Sequence, residues 1–206
     1  MIHIVDYSSG NQTSVKRALA SLGKNSKITS DPEELISAER IIFPGVGHAH
    51  SALANLRENG LDQSLITAFK NGTPILGICV GCQILMSSSE ETDQPCLDLI
   101  EGTCLKFHPE KGKIKVPHMG WNELYINYPH PILQHLEAGD QVYFVHSYYP
   151  CPANSKNILA TSFHGINFPA VIGIQNLVAT QFHIEKSGPV GLRVLSNFLD
   201  WDGTVC

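Results

Sequence analysis

The segment around Cys79 limits the folds open to this chain more than any other. An apolar run at residues 74–78 leads into Cys79, and a helical pattern starts directly after it. Gly77 and Gly81 flank the cysteine at i−2 and i+2, the Gly-x-nucleophile-x-Gly layout of a nucleophile elbow. Both positions need small residues because such a turn crowds strand against helix. The pattern predicts a thiol at the start of a helix, whose dipole favours the thiolate.

Three other interpretations of Cys79 stay open from these residues alone. Cysteine is often a small buried hydrophobic residue with no chemical role. Cys79 and Cys82 have the C-x-x-C spacing of a redox pair, although no thioredoxin-like context surrounds them. A zinc site would need a second ligand pair, and none occurs at suitable spacing. We interpret Cys82 as structural.

The rest of the chain alternates short apolar runs with helical patterns in its first half and is richer in strands in its second. Strands are predicted at 2–5, 40–43, 74–78, 105–107, 142–145, 158–161, 171–174 and 178–182. Helices are predicted at 13–22, from an N-cap at Ser51 to Gly60, through Leu65 to Gly72, and after Ser187. This order predicts an α/β fold, a doubly wound, mostly parallel sheet flanked by helices with an added antiparallel patch, as a single domain over 1–206.

Composition narrows the partners that the chain could have. With 43% hydrophobic and 16% charged residues, the 206-residue chain is neither disordered nor fibrous. A net charge of −5 gives no electrostatic reason to bind nucleic acid or an acidic membrane surface. The N-terminus lacks the pattern of a secretory signal, and no apolar run could cross a bilayer. We therefore expect a cytoplasmic protein with free thiols.

A histidine and a glutamate lie just past another predicted strand. The run at 178–182 leads into His183, and Glu185 follows two residues later. In an extended chain the side chains at i and i+2 point the same way, so Glu185 can orient one ring nitrogen while the other faces a thiol. Alone, the two could be an idle solvated pair. Because sites in doubly wound sheets gather at the carboxyl ends of strands, this pair and Cys79 together predict a Cys-His-Glu triad.

The segment at 44–48 (PGVGH) follows the strand predicted at 40–43. Glycines on both sides of Val46 would let the backbone turn its N–H groups toward a developing oxyanion. On its own, Pro-Gly after a strand usually marks a turn. The segment therefore indicates an oxyanion site only in combination with the triad.

Five motifs together resemble the class I (triad-type) glutamine amidotransferases, most closely the branch of glutaminase subunits of imidazole glycerol phosphate synthases. The resemblance covers nearly the whole chain. Its motifs lie at 44–48 (PGVGH), 77–83 (GICVGCQ), 117–122 (PHMGWN), 143–148 (YFVHSY) and 179–187 (ATQFHIEKS). The cysteine and histidine motifs are typical of the class, and the motifs at 117–122 and 143–148 are typical of this branch.

The resemblance implies an enzyme that hydrolyses L-glutamine and passes ammonia to a (β/α)8 cyclase subunit in a heterodimer of histidine biosynthesis, with no cofactor or metal. It implies that Cys79 attacks the amide, that His183 protonates the leaving ammonia and then activates water, and that Glu185 holds His183. The remaining implied roles are oxyanion stabilisation by Gly45, Val46, Gly47 and Val80, a glutamine pocket lined by Gln83, His146, Ser147 and Tyr148, and a partner interface near Trp121 and Tyr143.

Two residues depart from the family pattern. Ile184 stands where the family usually has proline, and Cys82 where methionine is frequent. We expect β-branched Ile184 to keep an extended backbone, with one additional N–H to satisfy and without the φ constraint of proline. These departures leave two alternatives: a paralogous glutaminase that feeds a surface-sugar amidotransferase, or a catalytically silent regulatory subunit.

Overall fold

The computed structural model describes residues 1–8, 10–108 and 114–204. Its strands are β1 (Ile2–Val5), β2 (Ser26–Thr29), β3 (Arg40–Gly45), β4 (Ile75–Cys79), β5 (Met86–Ser89), β6 (Ile100–Lys106), β7 (His118–Glu123), β8 (Tyr125–Ile126), β9 (Gln141–His146), β10 (Tyr148–Pro152), β11 (Ile158–Phe163), β12 (Asn167–Ile174) and β13 (Leu177–Thr180). Its α-helices are α1 (Gln12–Ser21), α2 (Pro32–Ile36), α3 (Ala49–Glu58), α4 (Leu61–Lys70), α5 (Val80–Gln83) and α6 (Gly188–Asp200). Short 3₁₀ turns lie at Pro131–Leu133, Ser155–Asn157 and Ile184–Lys186.

One eight-stranded sheet dominates the structure, in the order β2-β1-β3-β4-β13-β12-β11-β8. The first five strands of that order run parallel, and the last three are antiparallel. Strands β1, β4 and β13 are buried along their whole length, as expected where helices cover a parallel sheet. The predicted α/β fold is confirmed, and the antiparallel patch continues the main sheet. Two smaller sheets, β10-β6-β5 and β7-β9, pack beside it.

The first half of the chain contains two elements that apolar periodicity did not predict. Strand β2 is an edge strand in which only one residue is buried, so it has no apolar run to reveal it. Helix α2 is five residues long and begins with an Asp31 side-chain cap before Pro32. The predicted cap at Ser51 is wrong, because α3 already begins at Ala49 after His48. Ser51 therefore lies inside the first turn of that helix.

Two strand ends in the second half also differ from the prediction. Strand β6 ends at Lys106, and most of it precedes the run predicted at 105–107. Strand β13 ends at Thr180 because the chain then leaves the main sheet: the N–H of His183 donates to the carbonyl of Tyr143, on β9, at 3.0 Å. His183 therefore lies three residues beyond the strand that was predicted to lead into it.

The parallel strands bring four chain segments to one edge of the sheet. Their carboxyl ends meet there, with Gly45 of β3 paired to Cys79 of β4 and Thr180 of β13 paired to Ile78. The residues that follow these ends are therefore neighbours although they are far apart in the chain. This edge is where the site lies.

The turn at Cys79 depends on an unusually close approach of backbone to backbone. Cys79 has a φ of 55°, rare for a residue with a side chain. A Cβ on Gly81 would lie 2.1 Å from the carbonyl oxygen of Phe43, and one on Gly45 would lie 2.7 Å from the nitrogen of Gly81. The predicted elbow is thus present. Helix α5 is a single turn, so the expected helix dipole is that of one turn only.

We predict that Gly81→Ala lowers the free energy of unfolding by about 3 kcal/mol, because the new methyl group overlaps the β3 backbone. Gly23→Ala is the comparison variant with the opposite cost: its φ of +71° is unfavourable for alanine, but nothing lies within 4 Å of its Cβ. That variant should lose only about 1 kcal/mol. Urea unfolding of both variants measures the difference, and equal losses would contradict the packing argument.

Candidate active site

A cavity of about 310 Å³ opens above Cys79 at the carboxyl edge of the sheet. Most of the residues predicted for the site line it, namely Val46, Gly47, Cys79, Val80, Gln83, His146, Ser147, Tyr148 and His183. Glu185 lies behind His183, and Gly45 lies in the sheet beneath the elbow. Pro117 also lines the cavity, so the structure gathers residues from all five motifs around one thiol.

His183 and Glu185 form a buried pair. The ring Nδ1 of His183 lies 2.9 Å from Oε1 of Glu185, and both side chains are 1% exposed. The Nδ2 amide of Asn11 donates to the same carboxylate oxygen at 3.1 Å. The Nε2 atom of His183 is buried and has no hydrogen-bond partner among the described residues. It is therefore available for proton transfer on the cavity side.

The backbone that carries this pair is a 3₁₀ turn, so the expected extended conformation at Ile184 is wrong. The turn keeps the His183–Glu185 contact by a different geometry, since the Ser187 hydroxyl donates to the carbonyl of His183 at 2.6 Å. Ile184 is the first residue of the turn, where a helix leaves the N–H unused and where proline is favoured. A proline and an isoleucine can both occupy this position. Buried Ile184 also anchors the turn in the core.

The electrostatics of the pair favour an ionised state. Burial alone would lower the pKa of His183, but Cys79 and Glu185 outweigh it and raise that pKa to about 10. Burial alone would raise the pKa of Glu185, but the His183 ring and the Asn11 amide lower it below its usual range. His183 is therefore a cation at neutral pH. The main electrostatic feature beside the Cys79 sulfur is therefore a cationic ring, whereas sequence reasoning had relied on the helix dipole.

Two glutamine side chains hold the thiol from the other side. The Nε2 amide of Gln181 donates to Sγ of Cys79 at 3.8 Å, and its Oε1 accepts from Nε2 of Gln83 at 3.1 Å. Gln83 also donates to the carbonyl of Tyr148 at 3.0 Å. Sequence reasoning missed Gln181, which is completely buried. A glutamine within the segment predicted as a buried strand, two positions before His183, was the available sign.

Glu91 and Asn11 were also missed. Glu91 is the carboxylate that lines the cavity, and its Oε2 accepts from the backbone N–H of Ala49 at 2.8 Å. In the sequence nothing separates it from its exposed neighbour Glu90. Asn11 follows β1, so the rule that sites gather at strand ends could have found it.

The remaining cysteines do not extend the site. Those described, Cys79, Cys82, Cys96, Cys104 and Cys151, are all free thiols, and Cys206 lies outside the described residues. Burial raises the pKa of Cys82 well above its usual value, so this thiol stays protonated. Its protonated, buried state fits the structural interpretation. Within the described ranges no cluster of histidine, cysteine and carboxylate groups could hold a metal, and no helix is long and apolar enough to span a membrane.

Exposed Trp121 and partly buried Tyr143 form an aromatic pair next to the site. They face each other across β7 and β9 with ring centroids 5.9 Å apart, and Trp121 is 54% exposed. Tyr143 reaches the site through its backbone, because its carbonyl accepts from His183 and its N–H donates to Ser187. A surface that carries these rings is thus directly attached to the His183 segment.

Comparisons with known proteins agree with this geometry. The family model described as "Glutamine amidotransferase class-I" matches residues 3–201. The chain is 47% identical to imidazole glycerol phosphate synthase subunit HisH of Nitratidesulfovibrio vulgaris (strain DP4), with 96% of this chain and 95% of that protein covered. It is 43% identical to the same subunit of Acinetobacter baylyi, with 98% of each covered.

Solved structures show the same fold. One described as a glutamine amidotransferase has a TM-score of 0.76 at 19% identity, covering 99% of this chain and 100% of that one. PurLQS from Thermotoga maritima also reaches 0.76, at 20% identity, with 97% of each chain covered.

We predict that the His183 ring titrates with a midpoint near pH 10, measured by NMR of ¹⁵N-histidine protein. Because this value exceeds the ordinary 6.5, the ring contributes stability that is complete below pH 6.5 and disappears as pH rises through 10. Glu185→Gln keeps an acceptor but removes the charge, so it should lower the midpoint and flatten the decline in stability. A wild-type midpoint near 6.5 would contradict the ion pair.

Proposed function

This chain belongs to the class I glutamine amidotransferase family, and we propose that it is the glutaminase subunit of an imidazole glycerol phosphate synthase in histidine biosynthesis. It hydrolyses L-glutamine to glutamate and ammonia. The observation that carries this proposal is the buried His183–Glu185 pair on the cavity that contains Cys79. Nearly full-length identity to HisH subunits supports this pathway over that of a surface-sugar paralogue.

The proposed chemistry proceeds through a thioester. The Cys79 thiolate attacks the side-chain amide carbon of glutamine and forms a carbon–sulfur bond. His183 gives its Nε2 proton to the amide nitrogen, and the carbon–nitrogen bond breaks to release ammonia. Neutral His183 then takes a proton from water, whose oxygen attacks the thioester. The carbon–sulfur bond then breaks, and the new carboxyl group loses its proton to solvent as glutamate leaves. The Cys79 thiolate and the cationic His183 of the starting state remain. Glu185 keeps Nδ1 protonated throughout.

Backbone N–H groups are the proposed oxyanion donors. Val80 is the first residue of α5, so the helix does not use its N–H. Val46 and Gly47 line the same cavity, and the φ of 93° at Gly47 permits a sharp change in chain direction. Gly45 acts indirectly, because its contact with Gly81 fixes the loop against the elbow.

The polar residues of the cavity would recognise the amino-acid end of glutamine. Glu91 supplies a fixed negative charge, held by the Ala49 N–H, that would pair with the α-ammonium group. Gln83, His146, Ser147 and Tyr148 complete the proposed pocket.

We propose that the subunit works in the cytoplasm as a heterodimer with a (β/α)8 cyclase that receives the ammonia, without a cofactor. The relatives are named as subunits of a synthase, which supports the proposal that this chain has a partner subunit. Exposed Trp121 and Met119 on β7 beside the site offer an apolar docking surface. The buried apolar side chains form one cluster, which supports a single domain.

We predict that Cys79→Ala lowers the rate of glutamate release from glutamine by a factor on the order of 10⁴ or more, because the thioester cannot form. Cys82→Ala is the control and should keep most of the activity. Both are measured with and without an imidazole glycerol phosphate cyclase subunit and its ligand. Stimulation by that subunit supports the histidine pathway. Absence of glutaminase activity in the wild type under every condition would leave a silent subunit, contrary to the proposal.

We predict that Glu91→Gln raises the KM for glutamine by about tenfold to a hundredfold, because an ion pair with the substrate ammonium is lost. The kcat should change much less, since Glu91 does not contact the reacting amide. Steady-state kinetics separate the two constants. A fall in kcat with an unchanged KM would show that Glu91 does not bind the substrate.

A further inference from the structure

Strand β7 has two different faces. Its outward residues Met119 and Trp121 are 64% and 54% exposed, whereas His118 is 5% exposed. The His118 ring is stacked between His164, at 4.1 Å between ring centroids, and Phe144, at 4.8 Å. A buried histidine in such an aromatic stack could be mere packing, so its hydrogen bonds decide whether it has another role.

The hydrogen bonds of His118 and His146 fix one arrangement of protons. Nδ1 of His146 lies 2.7 Å from the carbonyl of Tyr148, which can only accept, so this nitrogen carries the proton. Nε2 of neutral His146 is therefore an acceptor, and Nδ1 of His118, 3.0 Å away, must donate to it. Nε2 of His118 is then left as an acceptor, and the Nδ2 amide of Asn122 faces it at 3.4 Å.

This arrangement requires both rings to be neutral, and their surroundings keep them so. Burial, with a smaller effect of His164, lowers the pKa of His118 to about 4. Burial outweighs the Tyr148 carbonyl and lowers the pKa of His146 to about 3. At neutral pH neither ring is charged, so the donor and the acceptor of each hydrogen bond made by His118 and His146 are determined.

The chain of hydrogen bonds continues to the nucleophile. The Tyr148 carbonyl accepts both from His146 and from Gln83, whose amide also donates to Gln181. Gln181 in turn donates to Sγ of Cys79. An unbroken series of directed contacts therefore joins the inner face of β7 to the thiol, and each intermediate side chain is more than nine-tenths buried.

We propose that His118 is a positioning residue for the glutaminase reaction, acting through His146 and the Tyr148 carbonyl on the Gln83–Gln181 pair that holds Cys79. His118 does not line the cavity and does not touch the reacting atoms. If His118 does not donate its Nδ1 proton, the buried Nε2 of His146 has no hydrogen-bond donor. The His146 ring can then find another partner only by rotating or by changing tautomer. Either change releases the Tyr148 carbonyl and loosens the two glutamines. The inference rests on the proposed function only for its catalytic readout.

The test compares two substitutions that separate hydrogen bonding from packing. His118→Phe keeps an aromatic ring in the stack and loses the donor. His118→Asn loses the ring but places an amide N–H near the position of Nδ1. The rate of Cys79 alkylation by iodoacetamide is followed by mass spectrometry of the Cys79 peptide. Glutamate release is measured in parallel with the cyclase subunit present.

We expect His118→Phe to slow both reactions by about tenfold and His118→Asn to stay within about threefold of the wild type. A packing role predicts the reverse order, and that order would overturn the proposal. If either variant fails to fold, ¹⁵N NMR of wild-type histidines decides: Nδ1–H tautomers are expected for His118 and His146, and an Nε2–H tautomer at either would overturn it. Wild-type glutaminase activity that does not depend on Cys79 would instead refute the proposed function and leave the tautomers unaffected.

Discussion

The backbone at Cys79 holds a φ of 55° while Gly81 lies against the carbonyl of Phe43 and Gly45 lies against Gly81. Strands β3 and β4 can approach the one-turn helix α5 this closely only because neither glycine has a side chain. This contact points the thiol into the cavity, places the Val80 N–H beside it, and fixes the loop at Val46 and Gly47. The strain at a non-glycine residue is tolerated because the surrounding parallel strands are entirely buried.

Two kinds of interaction surround this fixed thiol: an ion pair and a series of hydrogen bonds. On one side the buried His183–Glu185 pair supplies charge, and the 3₁₀ turn and the Ser187 hydroxyl hold it in place. On the other side, the series of hydrogen bonds that reaches the sulfur is made by neutral groups: the Gln181 and Gln83 amides and two uncharged imidazoles. His183 is thus the cation beside the thiol. That arrangement suits a group that must give up one proton and take another.

Local patterns in the sequence were sufficient to predict the parallel core and to identify Cys79, His183 and Glu185 as site residues. Glycine spacing and apolar periodicity are local, and parallel strands necessarily bring their carboxyl ends together. The pairing of Glu185 with Asn11, or of Gln181 with Gln83, joins residues far apart in the chain and leaves no local pattern. The 3₁₀ turn at Ile184 escaped prediction because β-branching favours extended backbone, whereas Tyr143 and Ser187 impose the turn. Edge strand β2 was missed because an exposed strand need not be apolar.

A nucleophilic Cys79 in a glutamine-binding cavity should react with an electrophilic analogue of glutamine, so covalent labelling is the measurement to make. The full chain is treated with a diazoketone analogue of glutamine, with the cyclase subunit and its ligand present, and the adduct is located by peptide mass spectrometry. The structure predicts one adduct, on Cys79, that excess glutamine suppresses and that Cys79→Ala abolishes. Labelling of another cysteine, or labelling of Cys79 that glutamine does not slow, would contradict it.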